Sequence, residues 1–347
     1  MDICNVARQF DIQGNVLSAE RYGDGHINVT YLVVTDEKRY ILQKVNTTLF
    51  TDPDKLMHNI SAVSSHIRSK ATEDIERCTL NVIKTKDGKP YYKNDDGCFR
   101  VYDFIEDALA HNKADEKLFY YSAVAFGKFA NDLSDFDASQ LYEILPSFHD
   151  TTVRFANFEK AVKEDKCDRV KLVKEEIEFY TKRKHYCGMI VERLADGRLP
   201  LRVTHNDTKL NNVMLDNATG KPVAVIDMDT VMPGSVCYDF GDSIRFGCNT
   251  GAEDEKDLTK VHFSLPLYKS YAKGYTEAYP LMTSEERKML PYGSIIMTYE
   301  CGMRFLTDYL QGDTYFRTTR EGHNLDRCRT QMRLVEEMEE NLDKMNV

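Results

Sequence analysis

The segment from Val203 to Asp242, VTHNDTKLNNVMLDNATGKPVAVIDMDTVMPGSVCYDFGD, restricts what this chain can fold into more than any other stretch. It holds His205, Asp207 and Asn212 in an H-x-D-x-x-x-x-N spacing, and a short hairpin later the apolar run Val223 to Ile226 leads into Asp227 and Asp229. The run from Lys221 to Met228 is poor in charge and rich in Val and Ile, which predicts a partly buried strand. An acidic group at the end of such a strand must be offset by a metal or a hydrogen bond, because a carboxylate leaves water at a high cost. The spacing lets Asp207 and Asn212 emerge from one loop while Asp227 arrives from the neighbouring strand, so that three oxygens distant in the chain converge.

Phosphoryl transfer requires such a set: a carboxylate that orients a hydroxyl and accepts its proton, and oxygen ligands that hold Mg²⁺ against nucleotide phosphates. Asp207 fits the first role, and Asn212 with Asp227 fits the second. On a regular strand Asp229 projects to the same side as Asp227, where it binds a second ion, supports a metal-bound water or satisfies local backbone donors. Lys209 is a candidate contact to the transferred group, and His205 is expected to anchor the loop. The box Asp239-Phe240-Gly241-Asp242 adds two more carboxylates downstream. Arg245 either pairs with Asp239 or Asp242, the commoner use of a half-buried arginine, or reaches phosphate.

With 347 residues, 42% of them hydrophobic, the chain is long enough for a sizeable core and for two lobes. Its 56 acidic against 46 basic residues, a formal charge of -10, argue against a general nucleic-acid or anionic-membrane surface. No apolar stretch approaches the length of a bilayer span. The start MDICNVARQFDIQG lacks a basic segment followed by an apolar core, so no secretory signal is expected. Nine cysteines scattered without metal-ligand pairs predict reduced thiols and a cytoplasmic location.

Local patterns predict the remaining elements. Val29 to Thr35 and Tyr40 to Val45 read as a hairpin. Gly23 and Gly25 before it permit either close passage over phosphates or a tight turn. Asp52 as cap and Pro53 at the first position open a helix to Ser69, with Leu56, Ile60, Val63 and Ile67 on one face. Short strands are expected over Leu80 to Lys84, Lys89 to Lys93 and Cys98 to Ile105. Asp115 to Leu133 is a helix with an apolar face, and Phe136 to Phe158 is expected to be irregular. Glu159 to Arg183 reads as a solvated helical stretch. Further helices are expected over Met189 to Leu194, Val261 to Tyr279, Ser284 to Tyr309, with or without an interruption, and Asn324 to Lys344.

The segment around Asp207 resembles the catalytic segment of the aminoglycoside phosphotransferase and choline kinase superfamily, distant relatives of protein kinases. The wider wording, YGDGHINVTYLV, THNDTKLNN, DFGDSIRFG and CGMRFLTDYL, resembles over almost the whole chain kinases that act on the anomeric hydroxyl of N-acetylhexosamines. The resemblance implies an α+β, bilobal, protein-kinase-like fold. A small antiparallel-sheet lobe over residues 1–103 would bind nucleotide, and a larger, mostly helical lobe over residues 104–347 would carry catalysis and the acceptor. It also implies ATP as cosubstrate, Mg²⁺ as cofactor, a small sugar as second substrate, no nucleic-acid or membrane partner, and a monomer or weak homo-oligomer.

Carried over residue by residue, the resemblance assigns nucleotide contacts to Gly23, Gly25, Gln43 and the stretch of Arg100, Tyr102 and Phe104. Sugar contacts fall on His26, Asp207, Arg304 and Tyr315, although His26 fits a turn-fastening role and Arg304 a helix-fixing ion pair as well. One departure is plain: Gln43 stands where a strand lysine is expected, and Lys44, one residue on, faces the other way. The helix that follows carries carboxylates only at Asp52 and Asp54, so the lysine's glutamate partner is missing too. The acidic motifs alone serve choline, an aminoglycoside or a homoserine-like acceptor equally, and the departure at Gln43 leaves a catalytically idle binding protein as a further alternative.

Overall fold

In the computed structural model, which describes residues 2–23, 27–111 and 115–347, the chain forms two compact units. The first comprises Met1–His111, Asp135–Leu145 and Asn211–Met232, the second Asn112–Ser134, Pro146–Leu210 and Pro233–Val347. The first is built on an antiparallel sheet and the second is mostly helical, which is the expected α+β fold.

The sheet of the first unit contains β1 (Val16–Arg21), β2 (Val29–Thr35), β3 (Arg39–Val45), β4 (Val82–Ile83), β5 (Tyr92–Asn94) and β6 (Gly97–Asp103), in the order β1-β2-β3-β6-β4 with β5 also on β6. Leu42 pairs with Val101 and Gln43 with Arg100 across β3 and β6, without a bulge. Side chains alternate across the pleat. Val33, Tyr40, Leu42, Phe99 and Val101 therefore share one core with Val6 and Ala7 of the helix α1 (Ile3–Ala7).

Helix α2 (Pro53–Lys70) starts as its sequence dictates: the Asp52 side chain accepts from the Lys55 N–H, Pro53 occupies the first turn, and Leu56, Ile60, Val63 and Ile67 are buried. Its buried Asn59 donates to the carbonyls of Tyr142 and Val231 and accepts from the Tyr142 N–H, tying two later segments to the helix. One of those segments contains an antiparallel hairpin of Val213–Asp216 and Pro222–Val225.

The second unit contains α3 (Glu116–Asp132), α4 (Thr151–Glu164), α5 (Lys174–Lys182), α6 (Gly188–Ala195), α7 (Val236–Gly247), α8 (Leu265–Ala278), α9 (Ser284–Gln311) and α10 (His323–Glu340). Helices α7 and α9 meet backbone to backbone. A Cβ on Gly241 would lie 2.3 Å from the Gly293 carbonyl oxygen, and one on Gly293 would lie 2.5 Å from that of Cys237. Phe240 on the same helix packs its ring edge-on against Tyr268, Tyr271 and Tyr275 of α8. Among the described residues no helix is long and apolar enough to cross a membrane.

Two local expectations are corrected, and one left open is decided. Thr151 to Phe158 is helical, not irregular, because Asp150 is an N-cap whose side chain accepts from the N–H groups of Thr152 and Val153. The Lys- and Glu-rich stretch after it is two helices separated at Asp165, which takes φ +39° and closes α4. The long helix α9 runs unbroken through Pro291.

Candidate active site

The hairpin of the first unit sets the positions of two candidate oxygen ligands. Val225 pairs with Val213, and the Ile226 N–H donates to the Asn212 carbonyl at 2.9 Å, so Asn212 and Asp227 leave the same end of the hairpin. Sequence periodicity extends the strand to Met228, but it stops at Val225, and Asp227 turns the chain with φ +60° and ψ +57°. The turn changes which carboxylate is buried. Asp227 is exposed, whereas Asp229, in a single turn of 3-10 helix over Met228–Thr230, is 4% exposed. The two therefore do not share a strand face.

The burial of Asp229 is offset by polar partners, not by solvent. Its carboxylate is ion-paired with the Arg100 guanidinium at 2.5 Å and accepts from Asn28 Nδ2 at 2.5 Å. Arg100 itself donates through Nε and Nη2 to Gln43 Oε1, at 3.0 and 2.7 Å, while Gln43 Nε2 donates to Thr30 Oγ1 at 3.1 Å. Gln43 thus makes a neutral contact in a regular register, and the cation beside it comes from the neighbouring strand. Burial works against the charge on Arg100, but Asp229, together with Tyr102 and Asp227, more than offsets it and holds the guanidinium's pKa above its usual value.

Of the other nucleotide-side candidates, Gly23 takes φ +68° directly after Tyr22, whose ring packs edge-on against Phe104 at 6.0 Å. Phe104 also lies under the Arg39 guanidinium at 4.2 Å. Tyr102 is 3% exposed beneath Arg100, so its side chain belongs to the interior. Gly25 and His26 lie outside the described residues.

In the second unit, Asp239 holds the loop that carries Asp207. Its two carboxylate oxygens accept from the N–H groups of His205 and Asn206, each at 2.7 Å, and its own carbonyl accepts from Thr208 Oγ1 at 2.8 Å. Asn206 takes φ +62°, so the loop bends in a conformation that these bonds must maintain. Ser243 Oγ donates to the Thr208 carbonyl, and the Tyr271 hydroxyl donates to Ser243. The His205 imidazole is fully buried and packed edge-on by Phe126 and Phe129 at 5.5 and 5.8 Å, the surroundings of an anchor. Burial pushes the Asp239 carboxyl up to about 6, against the pull of His205 and the two backbone donors.

This loop presents Asp207 to a cavity of about 340 Å³ lined, among others, by Lys209, Asp242, Arg245, Glu300 and Arg304. Lys209 Nζ is 2.7 Å from Asp207 Oδ1. Burial disfavours the ammonium, but the Asp207 carboxylate outweighs it and leaves the lysine's pKa raised. Arg245 donates to Asp242 at 3.0 Å and to Glu253 at 2.7 Å, so both of its assigned contacts are carboxylates. Arg304 lies 5.5 Å from the ring centroids of Phe148 and Phe316 and donates to the Tyr315 hydroxyl at 3.4 Å. Tyr315 is 67% exposed, held in place because Asp308 accepts from the N–H groups of Thr314, Tyr315 and Phe316.

One pair on the cavity wall leaves no trace in local sequence pattern. The His149 imidazole donates from Nδ1 to Glu300 at 2.9 Å, and the other Glu300 oxygen accepts from Thr151. The partners lie 151 positions apart, beyond any local pattern. Burial would raise the Glu300 carboxyl, but the His149 bond holds it below its usual value.

Comparison with solved structures extends over nearly the whole chain. An aminoglycoside phosphotransferase from Alicyclobacillus acidocaldarius superposes with a TM-score of 0.63 at 11% identity, covering 98% of this chain and 94% of that one. A choline kinase from Cryptosporidium parvum superposes with a TM-score of 0.59 at 14% identity, covering 99% and 96%. A spectinomycin phosphotransferase, in a complex with ADP and spectinomycin, gives 0.57 at 15% identity, covering 95% and 94%. These likenesses establish the fold. The family model for phosphotransferase enzymes matches residues 18–279, a span that takes in most of β1, all of β2 and β3, the loop of Asp207 and the turn of Asp227, and the chain accordingly belongs to the aminoglycoside phosphotransferase (APH) family of phosphotransferase enzymes.

Proposed function

We propose that this chain is an ATP-dependent small-molecule kinase that phosphorylates the anomeric hydroxyl of an N-acetylhexosamine. The observation that carries the reading is the cavity of the second unit, which joins Asp207 to Arg304 and a set of aromatic side chains. Asp207 aligns the acceptor hydroxyl and takes its proton late in the transfer, as the acceptor oxygen bonds to the terminal phosphorus of ATP and the bond to the ADP oxygen breaks. Lys209, already beside Asp207, follows the negative charge on the moving group. Arg304 offers a planar fork of donors to ring hydroxyls or to the acetamide oxygen.

Asn212 and Asp227 offer an amide and a carboxylate oxygen from one hairpin end, a donor set that suits magnesium. Among the described residues no group of three or more His, Cys, Asp and Glu side chains could hold a metal ion. Two protein oxygens completed by phosphates and water fit the coordination habit of Mg²⁺ better than an all-protein cage would. An ion held by Asn212 and Asp227 would neutralise charge on the nucleotide phosphates. Asp229 supports this arrangement from within, through Arg100 and Asn28.

The lining supports a neutral acceptor over a quaternary ammonium. Its five cations, Lys209, Arg245, Arg304, Arg317 and Arg327, face four carboxylates, Asp207, Asp242, Glu253 and Glu300, so the wall carries no surplus of negative charge for a choline headgroup, which also favours an aromatic cage. The test is magnesium-dependent ADP release with N-acetylglucosamine, read with phosphorus NMR for phosphate on carbon one. Phosphorylation of choline, an aminoglycoside or homoserine in place of the amino sugar overturns the acceptor assignment. Nucleotide binding without turnover on any of them marks an idle binder.

Arg304→Ala should raise the KM for the sugar by roughly 10- to 100-fold, the worth of a lost charge-assisted hydrogen bond, and leave the KM for ATP within about twofold. An equal rise in both constants would remove Arg304 from the acceptor side.

A further inference from the structure

We propose that Arg100 is the positioning residue of the magnesium-nucleotide site, holding the Asp227–Asp229 turn from β6 in place of a cation on β3. The inference rests on the reading that Asp227 binds magnesium on a nucleotide, and it concerns residues of the first unit alone.

Asp227 occupies a left-handed backbone conformation, φ +60°, that a residue with a side chain keeps only where its surroundings impose it. On its N-terminal side the turn is fixed by the Ile226 N–H on the Asn212 carbonyl. On its C-terminal side the fixed point is Asp229, two residues on, and what fixes Asp229 is Arg100 together with Asn28. Asn28 is in turn oriented by the Asn46 N–H, which donates to its Oδ1 at 2.9 Å.

Arg100 is suited to this task and to little else. Its side chain is 1% exposed, two of its nitrogens are committed to Gln43, and Nη2 also faces Asp229. Its remaining nitrogen, Nη1, is buried with no hydrogen-bond partner among the described residues. A buried guanidinium left so incompletely satisfied is costly unless the position serves a purpose. Asp227 lies close enough for its charge to favour the charged form of Arg100 as well. The cation thus acts on both carboxylates of the turn, pairing with the inner one and leaving the outer one exposed.

Gln43 takes its meaning from the same contact. It pairs directly with Arg100 across β3 and β6, with both side chains on one face of the sheet, so its carbonyl aims the guanidinium. A cation at position 43 with a glutamine at position 100 would reproduce the same pair from the other strand.

The experiment is calorimetry of ADP binding with and without Mg²⁺. For the unaltered protein, Mg²⁺ should tighten ADP; if it does not, the magnesium-nucleotide reading and this inference fall together. Arg100→Gln should lose at least about tenfold of the magnesium-dependent tightening, while affinity for metal-free ADP stays within about twofold. Adding Gln43→Arg to that variant should bring the tightening back to within about threefold of the starting value. Full tightening in Arg100→Gln, or an equal loss of metal-free ADP binding, overturns the positioning role with the nucleotide reading intact. Should Arg100→Gln fail to fold, Arg100→Met with Asp229→Asn removes both buried charges at once. That double variant is expected to fold and to lack the tightening, and its retention overturns the proposal.

Discussion

Asp207→Asn should lower turnover by on the order of 10²- to 10⁴-fold, the contribution of a general base, while the affinity for ATP changes little. The substitution keeps the size and hydrogen-bonding reach of the side chain but removes its capacity to take a proton. The bonds that shape the loop are made by Asp239 to the backbone of His205 and Asn206 and by Thr208, none of which involves the Asp207 carboxylate. A folded variant with an inert base is the expected product. Steady-state kinetics with ATP and N-acetylglucosamine, together with ADP calorimetry, separate the two quantities. Turnover within about threefold of the starting value would move the proton acceptor elsewhere. A collapse of ADP affinity would mean that the loop had been lost along with the base.

Removing Asp239 should do the reverse, damaging the fold before the chemistry. Asp239→Ala leaves two buried backbone donors without acceptors, each worth about 1–3 kcal/mol, so a loss of roughly 2–6 kcal/mol is expected in urea unfolding. The loss should depend on pH with a definite sign. Burial places the Asp239 carboxyl at about 6, above the value near 4 of an unfolded chain, so the folded state holds this proton more tightly. The resulting stability is fully present below pH 4 and declines as the pH rises through 6, by about 3 kcal/mol in total. The gap between the two proteins should therefore be wider at pH 4 than at pH 7, and taking the difference cancels the titration of groups not coupled to Asp239. A gap that widens toward neutral pH would mean that the two N–H donors, not burial, dominate the carboxyl.

Much of the architecture could be read from short-range pattern. Leu56, Ile60, Val63 and Ile67 recur at helical spacing behind an Asp52–Pro53 start, and the helix is there with that face buried. The pairing of Val29–Thr35 with Arg39–Val45 follows from two apolar runs across a tight turn. Asp239 owes its expected role to the resemblance, which in this kind of fold implies a buried carboxylate supporting the Asp207 loop, and its bonds to His205 and Asn206 fill that role. Asp150 was not legible as a cap: a turn and a helix start share the same residue type, and only the hydrogen bonds of Thr152 and Val153 separate them.

The sequence by itself determined the family, the α+β class and most of the longer strands and helices, and it marked Asp207, Asn212 and Asp227 as candidates, because these depend on side-chain type and on intervals along the chain. Tertiary structure decided how those groups are used. Nothing in the spacing of Asp227 and Asp229 reveals that the backbone turns left-handed at the first, exposing it and burying the second. Nor does it reveal that Arg100 crosses to Asp229 while Gln43 holds the guanidinium, or that His149 meets Glu300 on the cavity wall. Those contacts join residues tens to more than a hundred positions apart, and their selection depends on desolvation: once packing removes water from Asp229 and Glu300, each must find a donor, and only the folded chain brings one within reach.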